Sequence, residues 1–185
     1  MRLRYTMIAL LILGIAGCRT TQTRFLHKNA DLGAINKVAV LPFDNLSAER
    51  TAGDKVQKIF YLELLALDVF EISEPGEVTK SLRAQGSVDA LGANEIKKIG
   101  KDLGVDAVFV GSVIDFAETR TGATSTPEVT VQLRLIETHT GATVWSTGQT
   151  RSGAGVATRL FGLGGESLTE AARRIVRSEL GTLLK

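Results

Sequence analysis

From residue 35 onward the apolar positions switch repeatedly between a spacing of two and a spacing of three to four. Residues 37–43 (KVAVLPF) are rich in β-branched side chains and run into a proline, as a strand leaving its sheet does. In residues 54–67 Val56, Ile59, Phe60, Leu64 and Leu67 recur at helical spacing. A short second strand follows at VFEISEP, closed by Pro75. PGEVTKSLRAQG is framed as a helix by its opening proline and closing glycine. ANEIKKIGKDLG repeats the arrangement, with Ile96, Ile99 and Leu103 on one face and Gly104 as the cap. VDAVFVGSVIDF is almost continuously apolar, which suits a central strand covered on both faces. EVTVQLRLIE alternates, with Val129, Val131, Leu133 and Leu135 against Thr130, Gln132 and Arg134, and so reads as a half-buried strand. The turn THTG leads into its partner ATVWSTGQT, and ESLTEAARRIVRSELGTLL closes the chain as a helix with a Leu168, Ala171, Ala172, Ile175 stripe. The predicted order is β-α-β-α-α-β-β-β-α, a single α/β domain with a mixed sheet and helices packed on it in two or three layers.

The first 34 residues follow neither spacing. Arg2 and Arg4 precede an apolar run at residues 7–15, far shorter than the ~20 residues that a spanning helix needs. Ile15, Ala16 and Gly17 then lead into Cys18, the one cysteine of the chain. Small side chains at that point let a peptidase approach the backbone. The pattern resembles the lipobox of bacterial lipoproteins, with an ordinary secretory signal or a short buried helix as the plainer alternatives. It divides the chain into a signal peptide (1–17), a lipidated tether (18–34) and the α/β domain (35–185), and makes Cys18 an anchor and not a catalyst. Arg19, where an aspartate would favour inner-membrane retention, points to the outer membrane with the domain facing the periplasm. The tether read this way spans roughly 50–70 Å at full extension.

Composition changes this picture little. The full chain carries 22 basic and 20 acidic residues; losing Arg2 and Arg4 leaves 20 against 20. A neutral chain without a basic stripe gives no electrostatic case for nucleic-acid binding. A domain with no second cysteine must be held by its core, and roughly 150 residues suffice for one. His27 and His139 lie at no metal-ligand spacing to each other or to Cys18, so neither a metal nor a cofactor is expected. FGLGGES lacks the ending of a phosphate-binding loop, and no G-x-S-x-G elbow occurs. Two features remain as candidate interfaces. Trp145, the single tryptophan, is either a core plug or a partner contact on the second sheet face. Leu160, Phe161 and Leu163 stand among glycines at residues 153–167, where they either mark a docking loop or fold back over the sheet edge.

Three pieces in order resemble the CsgG-like and TolB N-terminal-like superfamily of periplasmic lipoproteins, which includes penicillin-binding-protein activators and the Pel-polysaccharide lipoprotein. They are VAVLPF with Asp44 and Asn45; Gly104, Asp106, Ala107, Val108 and Gly111 of LGVDAVFVG; and Glu137, Thr140, Gly141 and Trp145 of ETHTGATVW. The resemblance implies a fold related to anticodon-binding domains, used as a non-enzymatic module that often oligomerises, and it implies envelope proteins or further copies of the chain as partners. The curli channel of this superfamily adds amphipathic hairpins, whereas residues 117–128 (AETRTGATSTPE) are polar and turn-rich, so a pore made by this chain is not expected. The expected function is that of an assembly or interaction module in surface-polymer export or envelope maintenance. The rivals are a regulator docking on a peptidoglycan synthase and an envelope hydrolase.

Overall fold

Among the described residues, seven strands and four α-helices account for both spacings. The computed structural model describes residues 21–28, 30–85, 91–121, 124–152 and 166–184. The strands are β1 (Thr21–Leu26), β2 (Lys37–Val40), β3 (Asp44–Asn45), β4 (Glu71–Ile72), β5 (Ala107–Thr121), β6 (Thr124–Glu137) and β7 (Thr143–Ser152). The helices are α1 (Ala52–Leu67), α2 (Pro75–Ala84), α3 (Ala93–Leu103) and α4 (Leu168–Leu183). One mixed sheet runs β1-β7-β6-β5-β2-β4, with β3 also paired to β5. The β2-β4 and β2-β5 pairs are parallel, and β5-β6, β6-β7 and β1-β7 are antiparallel.

The alternation of side chains along β5 sends two sets of apolar residues to opposite faces. On one face Phe109, Val113, Leu133, Leu135 and Trp145 meet Val56, Phe60 and Leu64 of α1 and Ile175, Val176 and Leu180 of α4. On the other, Ala39, Leu41, Val108, Val110 and Ile136 meet Val78 of α2 and Ile96 and Ile99 of α3. The arrangement has three layers. The segment that pairs with β5 through β2 and β3 breaks at Pro42, which has no N–H for the ladder; Leu41 N–H donates to Phe109 O before the break and Leu46 N–H to Val113 O after it, both at 2.9 Å. Phe43 swings over β5 at this break. A Cβ on Gly111 would lie 2.7 Å from its ring, so glycine is what gives the ring its place.

Two departures from expectation matter for function. Residues 21–26, read above as part of a free tether, form the outermost strand instead, with Thr21 opposite Thr150 and Leu26 opposite Trp145. The polar residues 117–128 are not a separate insertion either. They lengthen β5 and β6 into a hairpin whose pairing continues to Thr121 and Thr124. Asp115 pairs with Thr130, which lies level with Thr150 and the start of β1, so the hairpin reaches roughly 20 Å beyond that strand.

Candidate interaction surface

The motif residues picked out above are occupied in holding the fold. Asp106 accepts hydrogen bonds from the backbone N–H groups of Asn36 and Lys37, each at 2.9 Å, and so pins the start of β2 to β5. Those amides, Lys37 first, hold its carboxyl below the usual range. Gly104 ends α3 in the left-handed conformation (φ 62°) and Gly141 turns the β6-β7 hairpin (φ 75°). Thr140 Oγ1 donates to Glu137 at 2.6 Å and accepts from Ala142 N–H at 3.1 Å, which closes the same turn.

Trp145 lies in the core with 0% of its surface exposed. Its ring meets Phe109 edge-on at 6.3 Å, and its Nε1 donates to Thr182 Oγ1 of α4 at 3.2 Å. Regular alternation would put Val144 and Trp145 on opposite faces, but the strand is irregular there. Leu135 pairs with Trp145 but Ile136 pairs with Thr143, so Val144 is the extra residue of a β-bulge and both side chains enter one core. A partner-contact role for Trp145 is therefore set aside: a side chain sealed under α4 offers no surface. Cys18, Leu160, Phe161 and Leu163 lie outside the described residues.

The surface that remains is a sheet face. Among the described residues, helices α2 and α3 cover β2, β4, β5 and the Ile136 end of β6, and nothing covers the rest of that face on β6, β7 and β1. A groove of about 360 Å³ runs along it, lined chiefly by hydroxyl and amide groups such as Thr23, Thr130, Gln132, Ser146 and Thr150, with Phe25 at its rim. This face was missed in the sequence because it belongs in part to β1. The trace of β1 in the sequence is weak: TQTRFL has β-branched threonines at a spacing of two but polar residues on both sides.

Behind β7 lies a second unexpected group. Glu179 of α4 is fully buried, and neither carboxylate oxygen has a hydrogen-bond partner among the described residues. The neighbouring Thr147 hydroxyl has one proton, and it goes to Thr23 O at 3.1 Å. Burial pushes the Glu179 carboxyl up to about 8. Its place in the helix was readable: Ile175, Val176, Glu179, Leu180 and Leu183 follow one helical spacing and are all buried.

Among the described residues, no group of three or more His, Cys, Asp or Glu is placed to hold a metal, and no helix is long and apolar enough to cross a membrane. The fold and surface thus define a class, a three-layer mixed-sheet α/β domain whose motif residues serve the scaffold and whose open features are surfaces for contact. A sequence model of the peptidoglycan-synthase activator LpoB family matches residues 23–150, and the chain belongs to that family. Among solved structures it resembles the PelC dodecamer from Paraburkholderia phytofirmans, at 21% identity and a TM-score of 0.60, covering 89% of this chain and 97% of that one. It also resembles lipoprotein GNA1162 from Neisseria meningitidis, at 16% identity and a TM-score of 0.58, covering 80% and 98%. The LpoB C-terminal domain from Escherichia coli follows at 17% identity and 0.51, covering 68% and 90%. At such identities the likeness is one of fold. No curated protein matches. Within the superfamily suggested by the motifs, these findings support the LpoB and PelC-like lipoproteins and give no support to the curli-secretion or TolB names. The family match supports an activator module of the cell envelope.

Proposed function

We propose that the chain is anchored in the outer membrane by a lipid on Cys18, with its domain in the periplasm, and docks on a complex that works at the membrane face in surface-polymer export or envelope maintenance. The observation that carries this reading is where β1 begins. Thr21 is already in the sheet, so Arg19 and Thr20 alone separate it from Cys18. Three residue steps extend to roughly 10 Å at most, in place of the 50–70 Å of a free tether. A module on so short a leash acts beside its anchor. A second reading, activation of a peptidoglycan synthase, is favoured by the family match over residues 23–150. Stimulation of glycan polymerisation by the purified chain would select it.

The anchor itself is tested by metabolic labelling with a palmitate analogue. Wild type is expected to take up label and Cys18→Ser to take up none, since no other side chain supplies a thiol. Equal incorporation into both would refute the anchor.

A further inference from the structure

Phe25 and Leu26 leave 49% and 40% of their surface in water, on the two faces of the outermost strand β1. Among the described residues the other exposed large apolar side chains are Leu46, Leu62, Leu65 and Val69, between β3 and β4 toward the opposite edge of the sheet, and Leu184 after α4. What sets the β1 pair apart is its place in the chain, seven and eight residues after Cys18. The chain between is held extended, since β1 runs paired from Thr21 to Leu26. Six strand residues span roughly 20 Å. With Cys18 acylated, a β1 standing upright on the membrane would carry Phe25 and Leu26 roughly 20 Å out into water. A β1 lying along the membrane brings both to the level of the lipid headgroups, where apolar side chains leave water.

The charges favour the same arrangement. Residues 19–28 carry Arg19, Arg24 and Lys28 and no carboxylate. Strand β7 behind them has no carboxylate either, and its Arg151 is taken up by Glu166 at 2.8 Å. Among the described residues Arg24 and Lys28 make no ion pair. The first carboxylate after Cys18 is Asp31, which accepts from Gly33 N–H at 3.1 Å. Cations without counter-charge that flank two apolar side chains match a layer of phosphates over hydrocarbon. The outward backbone groups of an edge strand, which have no ladder partner, are satisfied by hydrated headgroups as well as by water. We propose that β1 lies along the membrane surface beside the acyl anchor, with Phe25 and Leu26 set into the headgroup layer and Arg24 and Lys28 on lipid phosphates. The sheet then stands edge-on to the bilayer, and the opposite edge at β4 points away from it. This rests on the acylation of Cys18 proposed above and adds a fixed orientation, since an acyl chain alone leaves the domain free to swivel.

The test uses the full-length chain, extracted in detergent and reconstituted into vesicles of phosphatidylcholine and phosphatidylglycerol, with or without bromine on the acyl chains. Bromine quenches a tryptophan that reaches the lipid. Trp145 is sealed in the core, so wild type supplies the background. Phe25→Trp places a reporter on β1 and Leu62→Trp one on α1; both sites are exposed, and wild-type melts are expected. Brominated lipid is expected to cut the added emission of Phe25→Trp about twofold or more and to leave that of Leu62→Trp unchanged. Adding Arg24→Glu and Lys28→Glu to Phe25→Trp is expected to remove most of the quenching while the chain stays with the vesicles through its anchor. Should that charge reversal lower the melt, added salt replaces it, with the same loss expected. Palmitate labelling and sedimentation with the vesicles report the anchor separately. A labelled, vesicle-bound Phe25→Trp chain whose emission ignores bromine would overturn the orientation and leave the anchor standing; an unlabelled chain would overturn both. Equal quenching at residues 25 and 62, or quenching that the charge reversal leaves intact, would also overturn the proposal.

Discussion

Trp145→Ala is expected to lower the stability of the domain by about 3–5 kcal/mol, a large share of what a domain of this size has. The indole is fully buried, stands edge-on to Phe109 and donates to Thr182, so its removal opens a cavity where β7, β5 and the end of α4 meet. Little can collapse into that space, because Phe109 is itself held between Phe60 and Phe70, at 5.1 and 6.1 Å. Urea melts of the full-length protein and the variant give the answer. An unchanged midpoint would return Trp145 to the surface and undo the bulge at Val144.

The second large effect depends on pH. Glu179 titrates near 4.5 when the chain is unfolded and at about 8 in the fold. Below the lower value the carboxyl is protonated in both states and costs nothing extra. Between the two values folding must take up a proton, so stability falls as pH rises, and above about 8 the loss is complete. From pH 5 to pH 8 the difference in stability between wild type and Glu179→Gln should therefore change by roughly 3 kcal/mol, with the variant gaining. Thermal melts of both proteins across this range measure it, and parallel curves would show that the carboxyl is solvated or paired. The amide keeps the shape of the side chain and has no proton to gain, so the slope isolates ionisation from packing.

The helices were legible because each buries one stripe against the sheet, and such a stripe leaves a periodic trace. Strand β5 was legible for a related reason: covered on both faces along its first residues, from Ala107 to Gly111, it opens as a continuous apolar run. Strand β1 was not. It is an edge strand, with one face open along the groove, so nothing obliges Thr21, Thr23 or Arg24 to be apolar. Its place comes from pairing with β7 across more than a hundred residues, a contact that leaves no local period. Trp145 stood between core plug and surface contact for a different reason. Period two decides facing only while the ladder is regular, and one extra residue at Val144 reverses the assignment.

Much the same holds for function. The residues that carry the family resemblance, Asp106, Thr140, Gly141 and Trp145, proved to be a β-strand clamp, a turn and a core plug. They identify the fold and say little about the client. What bears on the client lies at the edges: the outermost strand, which starts three residues after Cys18, and the grooved sheet face it borders. Neither of these needs a distinctive motif, because contact between surfaces is set by exposure and charge and not by a constellation of reacting groups.

Native mass spectrometry of the full-length protein, extracted from membranes in detergent, tests the account most directly. A single spectrum reads the mass of the protomer. The account predicts a protomer that lacks residues 1–17 and carries acyl chains on Cys18. A protomer of unprocessed mass without acyl chains would contradict it.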